Sequence, residues 1–482
     1  MRKLENIKPF EVFKYFEEIC KIPHGSGDMD KISGFCVDFA KSHSLKYVCD
    51  KAKNVIIYKE ASEGFEKSEP IILQAHLDMV CQKSSDAIFD FEKDSLDIFV
   101  EGDFVKAKNT TLGADNGIGV AIILAILADR ELPHPPIEAV FTTDEEIGMI
   151  GASQLDFSLF SAKKMINLDS EEENILTVSC AGGCDVTFAL PFKKEKVSGE
   201  KVTLIIDRLK GGHSGVEIDK GRVNANLLCS RLLNHLKKQF DFNIIEINGG
   251  TKSNAIPFSV DVSLVTNDAN DLILEANSYF AQVKNEIKAR EPHCILTCEA
   301  IEKGEFEVID SCVTNSLINI LINSPNGIID MSAEIKGLVE TSLNLGVVKT
   351  NEDNVFFHYA LRSNKASALD FLAERMIAFG KAFDLVCDVF GRYEPWEFKN
   401  DSPLQQLYVN TFKDTLGKTP KIEAIHAGLE CAVFSAKIPG LDCISIGPDI
   451  FDVHSPKEKV SISSVERIYD LVKAVLNNSL QK

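Results

Sequence analysis

The chain has 482 residues, 45% hydrophobic and 26% charged, which is enough apolar material for packed cores and too long for one simple domain. A formal net charge of −20 argues against nucleic acid or an anionic membrane as partner. Apolar runs reach about ten residues, short of the ~20 that span a bilayer, so two soluble domains are expected. The thirteen cysteines are scattered singly through apolar segments and read as reduced thiols of a cytoplasmic protein. Cys180 and Cys184 in CAGGC have no second Cys or His cluster to complete a zinc knuckle.

The N-terminal stretch is an amphipathic helix pattern with charges throughout, not a secretory signal. Residues 7–45 read as two helices split by a Gly- and Ser-rich turn at 22–28, with His24 a loop residue. Strands follow at 54–59 (NVIIYK) and 70–75 (PIILQA), the second lacking alternation, as a strand buried on both faces would. HLDMV comes next. His76 and Asp78, two apart, lie on one side of an extended chain. They form either a strand-end hydrogen bond or a ligand with a carboxylate behind it.

The stretch 109–119, NTTLGADNGIG, sets Asp115 between a Gly-rich turn and an apolar run read as a helix over 116–130. Asp there is an ordinary helix N-cap. Its neighbours point further. Strand IEAVFTT opens into Asp144, Glu145 and Glu146, and strand KMINLD delivers Asp169. Apolar strands ending repeatedly in His or carboxylates suggest one metal site around Asp115, at the strand ends of an α/β sheet.

From about residue 185 the pattern alternates as an antiparallel sheet would, interrupted by helical stretches at 222–240, 268–290, 311–323 and 364–380. This reads as an inserted domain over 183–394, between catalytic segments 1–182 and 395–482. Its distinctive turn, LKGGHSGVEIDKGRVNA, exposes His213 between Gly pairs. The α/β rhythm then returns with a helix at 402–416, strand KIEAIHAG, helix LECAVFSAK and strand LDCISIGP. His426 reads as structural or as a support behind the site. His454 sits on a loop before a last helix capped by Ser461 or Ser463.

HLDMV, TTLGADNGIGVA, TTDEEIGMIGA, NLDSEE, GGHSG, the HAGLE turn and DVHSPKE run in order from residue 76 to residue 458. Together they resemble the M20 clan of co-catalytic zinc peptidases, in its aminoacyl-histidine dipeptidase branch. The resemblance implies an α/β catalytic domain, its mixed central sheet flanked by helices, interrupted by an inserted α+β lid. It implies two zinc ions per chain, with cobalt or manganese tolerated by the same donors. His76 and Asp169 would serve one ion, Glu146 and His454 the other, and Asp115 both, followed by a cis peptide to Asn116. Glu145 becomes the general base toward water, Asp78 the carboxylate orienting His76, and His213 the group polarising the scissile carbonyl. Asn254 and Arg362 are candidates for the substrate's carboxylate end, with a backbone contact near Gly428. For Arg362, a strand-end Arg on a solvated face is an equal reading.

The implied activity is hydrolysis of unblocked dipeptides, Xaa-His among them, by a cytoplasmic homodimer acting on small peptide substrates. A tripeptidase or N-acyl-amino-acid deacylase of the same clan is the alternative. A non-catalytic metal-dependent binding protein ranks lower, because Glu145 and every ligand are present.

Overall fold

A computed structural model describes residues 2–479. The chain divides into two compact units: one runs to Cys180 and resumes over Trp396–Ala424 and from Leu429, the other comprises Ala181–Pro395 with Ile425–Gly428.

In the first unit, strands Ile137–Thr142, Ile71–His76, Lys164–Asn167 and Asp442–Ser445 lie side by side and parallel. Antiparallel strands Val55–Lys59 and Lys46–Cys49 extend one edge of this eight-stranded sheet. Every residue of Ile71–His76 and Ile137–Thr142 is buried, which accounts for the missing alternation. Because these strands are parallel, their chemistry-bearing ends emerge together: His76 pairs in register with Thr142, just ahead of the acidic turn. Helix Ala114–Ala128 packs on strand Ile71–His76 and against helix Phe10–Ile19, and is buried almost all round.

Asp115 is not that helix's N-cap. Gly113 takes the position with a left-handed φ of 66°, while Asp115 and Asn116 have non-helical dihedrals around a cis peptide bond. This leaves the Asp115 carboxylate to face two imidazoles instead of the first turn. Ser461 caps the final helix, Ile462–Asn478, accepting from Ser464 N–H. A small sheet orders Ile450–Phe451, Lys459–Ser461, Phe104–Ala107 and Ile98–Glu101. It anchors the loop bearing His454.

The second unit is an antiparallel sheet, from Ile295–Ile309 at one edge through Lys194–Asp207, Val260–Thr266, Phe242–Gly249, Val339–Thr350, Asn354–Ser363 and Gly182–Pro191 to Val386–Tyr393. Helices Ala225–Lys237, Ala269–Ile287, Ser311–Asn323 and Ala366–Ala382 bury apolar residues with it in one core. Residues 425–428 cluster with this unit, although the segments on either side belong to the first. Ala181 N–H donates to both Ile425 O and Ala427 O, and His426 bonds Ser342 and Asn364.

Candidate active site

Asp115 lies at the centre of the first unit's strand ends. His76 Nε2 is 3.2 Å from its Oδ1 and 3.3 Å from Asp169 Oδ1. On the other side, His454 Nε2 is 3.1 Å from Asp115 Oδ2 and 2.9 Å from Glu146 Oε1. Each Asp115 oxygen therefore meets one imidazole, and each imidazole a second carboxylate. Donor atoms of His76, Asp115 and Glu146 all fall within 4.8 Å of one another. Asn116 Nδ2 donates to Asp169 Oδ1 and orients that carboxylate.

The Asp78 carboxylate is 3.5 Å from His76 Nδ1, which instead meets the Asp78 backbone carbonyl at 3.0 Å. Its oxygens accept from Glu145 N–H at 3.0 Å, Glu146 N–H at 3.2 Å and Ser26 Oγ at 2.8 Å. Asp78 thus holds the turn carrying Glu145 and Glu146, and meets the His76 ring through both its carboxylate and its main-chain carbonyl.

The electrostatics favour added positive charge. Burial, with the Asp169, Glu430 and Glu146 charges, holds the Glu145 carboxyl well above its usual range, His76 acting against it. Burial likewise raises Asp169 and Glu146, and lifts Glu430 to about 8. Burial alone would discharge His76, yet Asp169 and the hydrogen bonds to Asp115 keep its pKa well above normal. Hydrogen bonds to Asp115 and Glu146 raise His454 to about 10. Two imidazoles set among three carboxylates are the borderline N and O donors that suit zinc, cobalt or manganese. A divalent cation would supply the charge that protons on these imidazoles otherwise carry, so the residues fit such ions.

Four further candidates lie in the second unit. The pairing of Gly212–His213 with Ala255–Ile256 brings His213 beside Asn254, whose carbonyl accepts from Ser214 N–H at 2.9 Å. His213 Nδ1 accepts from Gly215 and Val216 N–H, leaving the ring proton on Nε2, and burial and Arg362 lower its pKa. Arg362 is 8% exposed, so the solvated-face reading fails; its Nη1 donates to Tyr393 Oη at 3.0 Å. Arg362 and Asn254 line one cavity of about 460 Å³. His426 is buried with both ring nitrogens engaged, by Ser342 Oγ and Asn364 Oδ1, as a structural residue should be. Gly428 ends the short segment that joins this unit.

Sequence reasoning missed Glu430 and Glu458. Glu430 is fully buried and accepts from Gln74 and Thr142 side chains. Only its place beside His426, at a strand-to-helix turn, marked it. Glu458 follows Lys457 and precedes Lys459, a charge pattern that reads as solvated. It is nonetheless 3% exposed; burial raises its pKa to about 7, and a hydrogen bond from Leu112 N–H opposes the rise.

Paired His and carboxylates at the ends of a parallel sheet define a metal-dependent peptidase, and residues 72–478 match Peptidase family M20/M25/M40. The chain belongs to that family. It is 39% identical over 480 residues to the cytosol non-specific dipeptidase of Escherichia coli strain K12, covering 99% of both chains. Its fold superposes on the aminoacylhistidine dipeptidase of Vibrio alginolyticus with a TM-score of 0.89 at 34% identity, over 98% of this chain and 97% of that one. A Staphylococcus aureus tripeptidase shares the fold with a TM-score of 0.58 at 13% identity, over 99% of this chain and all of that one.

Proposed function

We propose that the chain is a dinuclear zinc dipeptidase hydrolysing unblocked dipeptides, Xaa-His among them, as a cytoplasmic homodimer. The observation that carries this reading is the Asp115 carboxylate, shared between His76 with Asp169 and His454 with Glu146. Full-length likeness to two dipeptidases supports the substrate class. Zinc is the ion this donor set favours, with cobalt or manganese as substitutes.

Two divalent cations bound there supply Lewis acidity and make a water molecule more acidic. Glu145, held by Asp78 through its backbone N–H, takes a proton as water attacks the carbonyl and returns it to the leaving amine. We assign His213 Nε2–H to the developing oxyanion, because backbone donors occupy its other nitrogen. Arg362 and Asn254 are assigned to the substrate's free carboxylate and Gly428 to a backbone contact. A guanidinium fork suits that carboxylate because it can give two parallel hydrogen bonds.

The test is a substrate panel of dipeptides, tripeptides and N-acyl amino acids, run on metal-free protein reloaded with zinc, cobalt or manganese. Dipeptides with a free amine and carboxylate should give the highest kcat/KM, and sedimentation should report a dimer. A preference for tripeptides or acyl amino acids would move the chain to the alternative branch of its family.

A further inference from the structure

Glu458 lies four residues beyond His454, on the same loop. Its Oε2 accepts from Leu112 N–H at 2.7 Å and Gly113 N–H at 3.1 Å. Its Oε1 accepts from Ala114 N–H at 2.8 Å and Asp115 N–H at 3.3 Å. Four consecutive backbone donors converge on one carboxylate, an anion nest that the left-handed Gly113 makes available. Buried without those donors, the carboxylate would be costly; without the carboxylate, four N–H groups would lose their acceptor. Glu458 and residues 112–115 therefore determine each other's place.

The other end of the connection is equally defined. Glu458 N–H donates to Ser455 O at 3.1 Å, closing the turn that follows His454. Strand Lys459–Ser461 then pairs with Phe104–Lys106 in the small sheet. The turn bearing Asp115 and the loop bearing His454 are over 300 residues apart in sequence, and Glu458 joins them directly.

We propose that Glu458 is a positioning residue of the metal centre, setting the separation between Asp115 and His454 that lets them hold one cation together. Both its oxygens are taken by backbone N–H groups, so it acts through the main chain that carries Asp115. This inference rests on the two-ion reading above. Glu458→Gln keeps the size but replaces one acceptor oxygen by an amide N–H₂, which faces two of the four backbone donors. Asp115 must then shift relative to His454.

The experiment titrates zinc into metal-free protein against a chromophoric chelator, with circular dichroism confirming the fold. Wild type should take up two ions. Glu458→Gln should bind zinc ~10- to 100-fold more weakly, the usual loss when a ligand's supporting partner is removed. Excess zinc should recover its kcat with KM for a dipeptide unchanged, a split that general loosening of the fold would not give. Lys457→Ala, on the same loop, should bind as wild type does. Should Glu458→Gln fail to fold, Glu458→Asp, which keeps the charge but withdraws it by one methylene, should still bind zinc more than threefold more weakly than wild type. Zinc affinity within threefold of wild type in either folded variant overturns the inference alone. Wild-type protein binding fewer than two ions overturns the two-ion reading and this inference with it.

Discussion

At the residue scale, one carboxylate decides whether the site can exist. Asp115 gives one oxygen to each imidazole, so Asp115→Ala removes a donor from both sides at once. The variant should lose both ions and all activity; elemental analysis finding two tightly held ions would refute the shared-carboxylate assignment. The adjacent acids should separate by role. Glu146 lies 2.9 Å from His454, whereas no imidazole stands at hydrogen-bond distance from the Glu145 side chain among the described residues. Glu145→Gln should keep its metal and lower kcat by roughly 10²–10⁴, the scale of a lost general base. Glu146→Gln should bind one ion weakly and recover with added zinc. The opposite pattern in metal content and rescue would exchange base and ligand.

At the element scale, the helix Ala114–Ala128 carries the most consequence. Its residues are buried on all sides, so it contributes to the core while bringing Asp115 to the strand ends. Leu124 is 0% exposed, and truncating a buried leucine removes transfer energy and leaves a cavity. Leu124→Ala should cost about 2–5 kcal/mol, read from urea denaturation midpoints. Leu274, 69% exposed on a helix of the second unit, supplies the contrast: Leu274→Ala should change stability by under ~0.5 kcal/mol. Equal losses at both positions would contradict the burial pattern.

At the scale of the whole molecule, metal and protons both enter the stability. Ions that bind only the folded chain stabilise it by mass action, about 2.7 kcal/mol per site at a free concentration of 100 Kd. Chelation should therefore lower the Tm, and returning zinc should raise it in a concentration-dependent way. A Tm indifferent to zinc would refute specific binding to the folded state. In the metal-free protein Glu430 adds a pH dependence. Its pKa is raised to about 8 by burial, from an unfolded value of 4.5. The folded chain keeps a proton that the unfolded chain has lost, so stability falls as pH rises between those values. Urea midpoints between pH 5 and 8 should decline less steeply for Glu430→Gln than for wild type. Parallel slopes would place the buried proton elsewhere.

The sequence alone determined the fold class and, through five of its seven ordered motifs, the residues that converge around Asp115. Unbroken apolar strands announce burial on both faces, and residues at strand ends need no tertiary information to be noticed. That Asp115 is no helix cap was decided only in three dimensions, where Gly113 takes the N-cap position and two imidazoles face the Asp115 carboxylate. The same holds for Asp78, whose carboxylate holds the Glu145–Glu146 turn as well as standing behind the histidine two residues before it. The small sheet escaped because strands of two to four residues are too short to show a period. Glu458 escaped because its donors are backbone N–H groups over 300 residues away, and backbone groups are identical in every sequence. Side-chain chemistry is written in the order of residues; which main-chain amides a carboxylate will meet depends on how the chain closes.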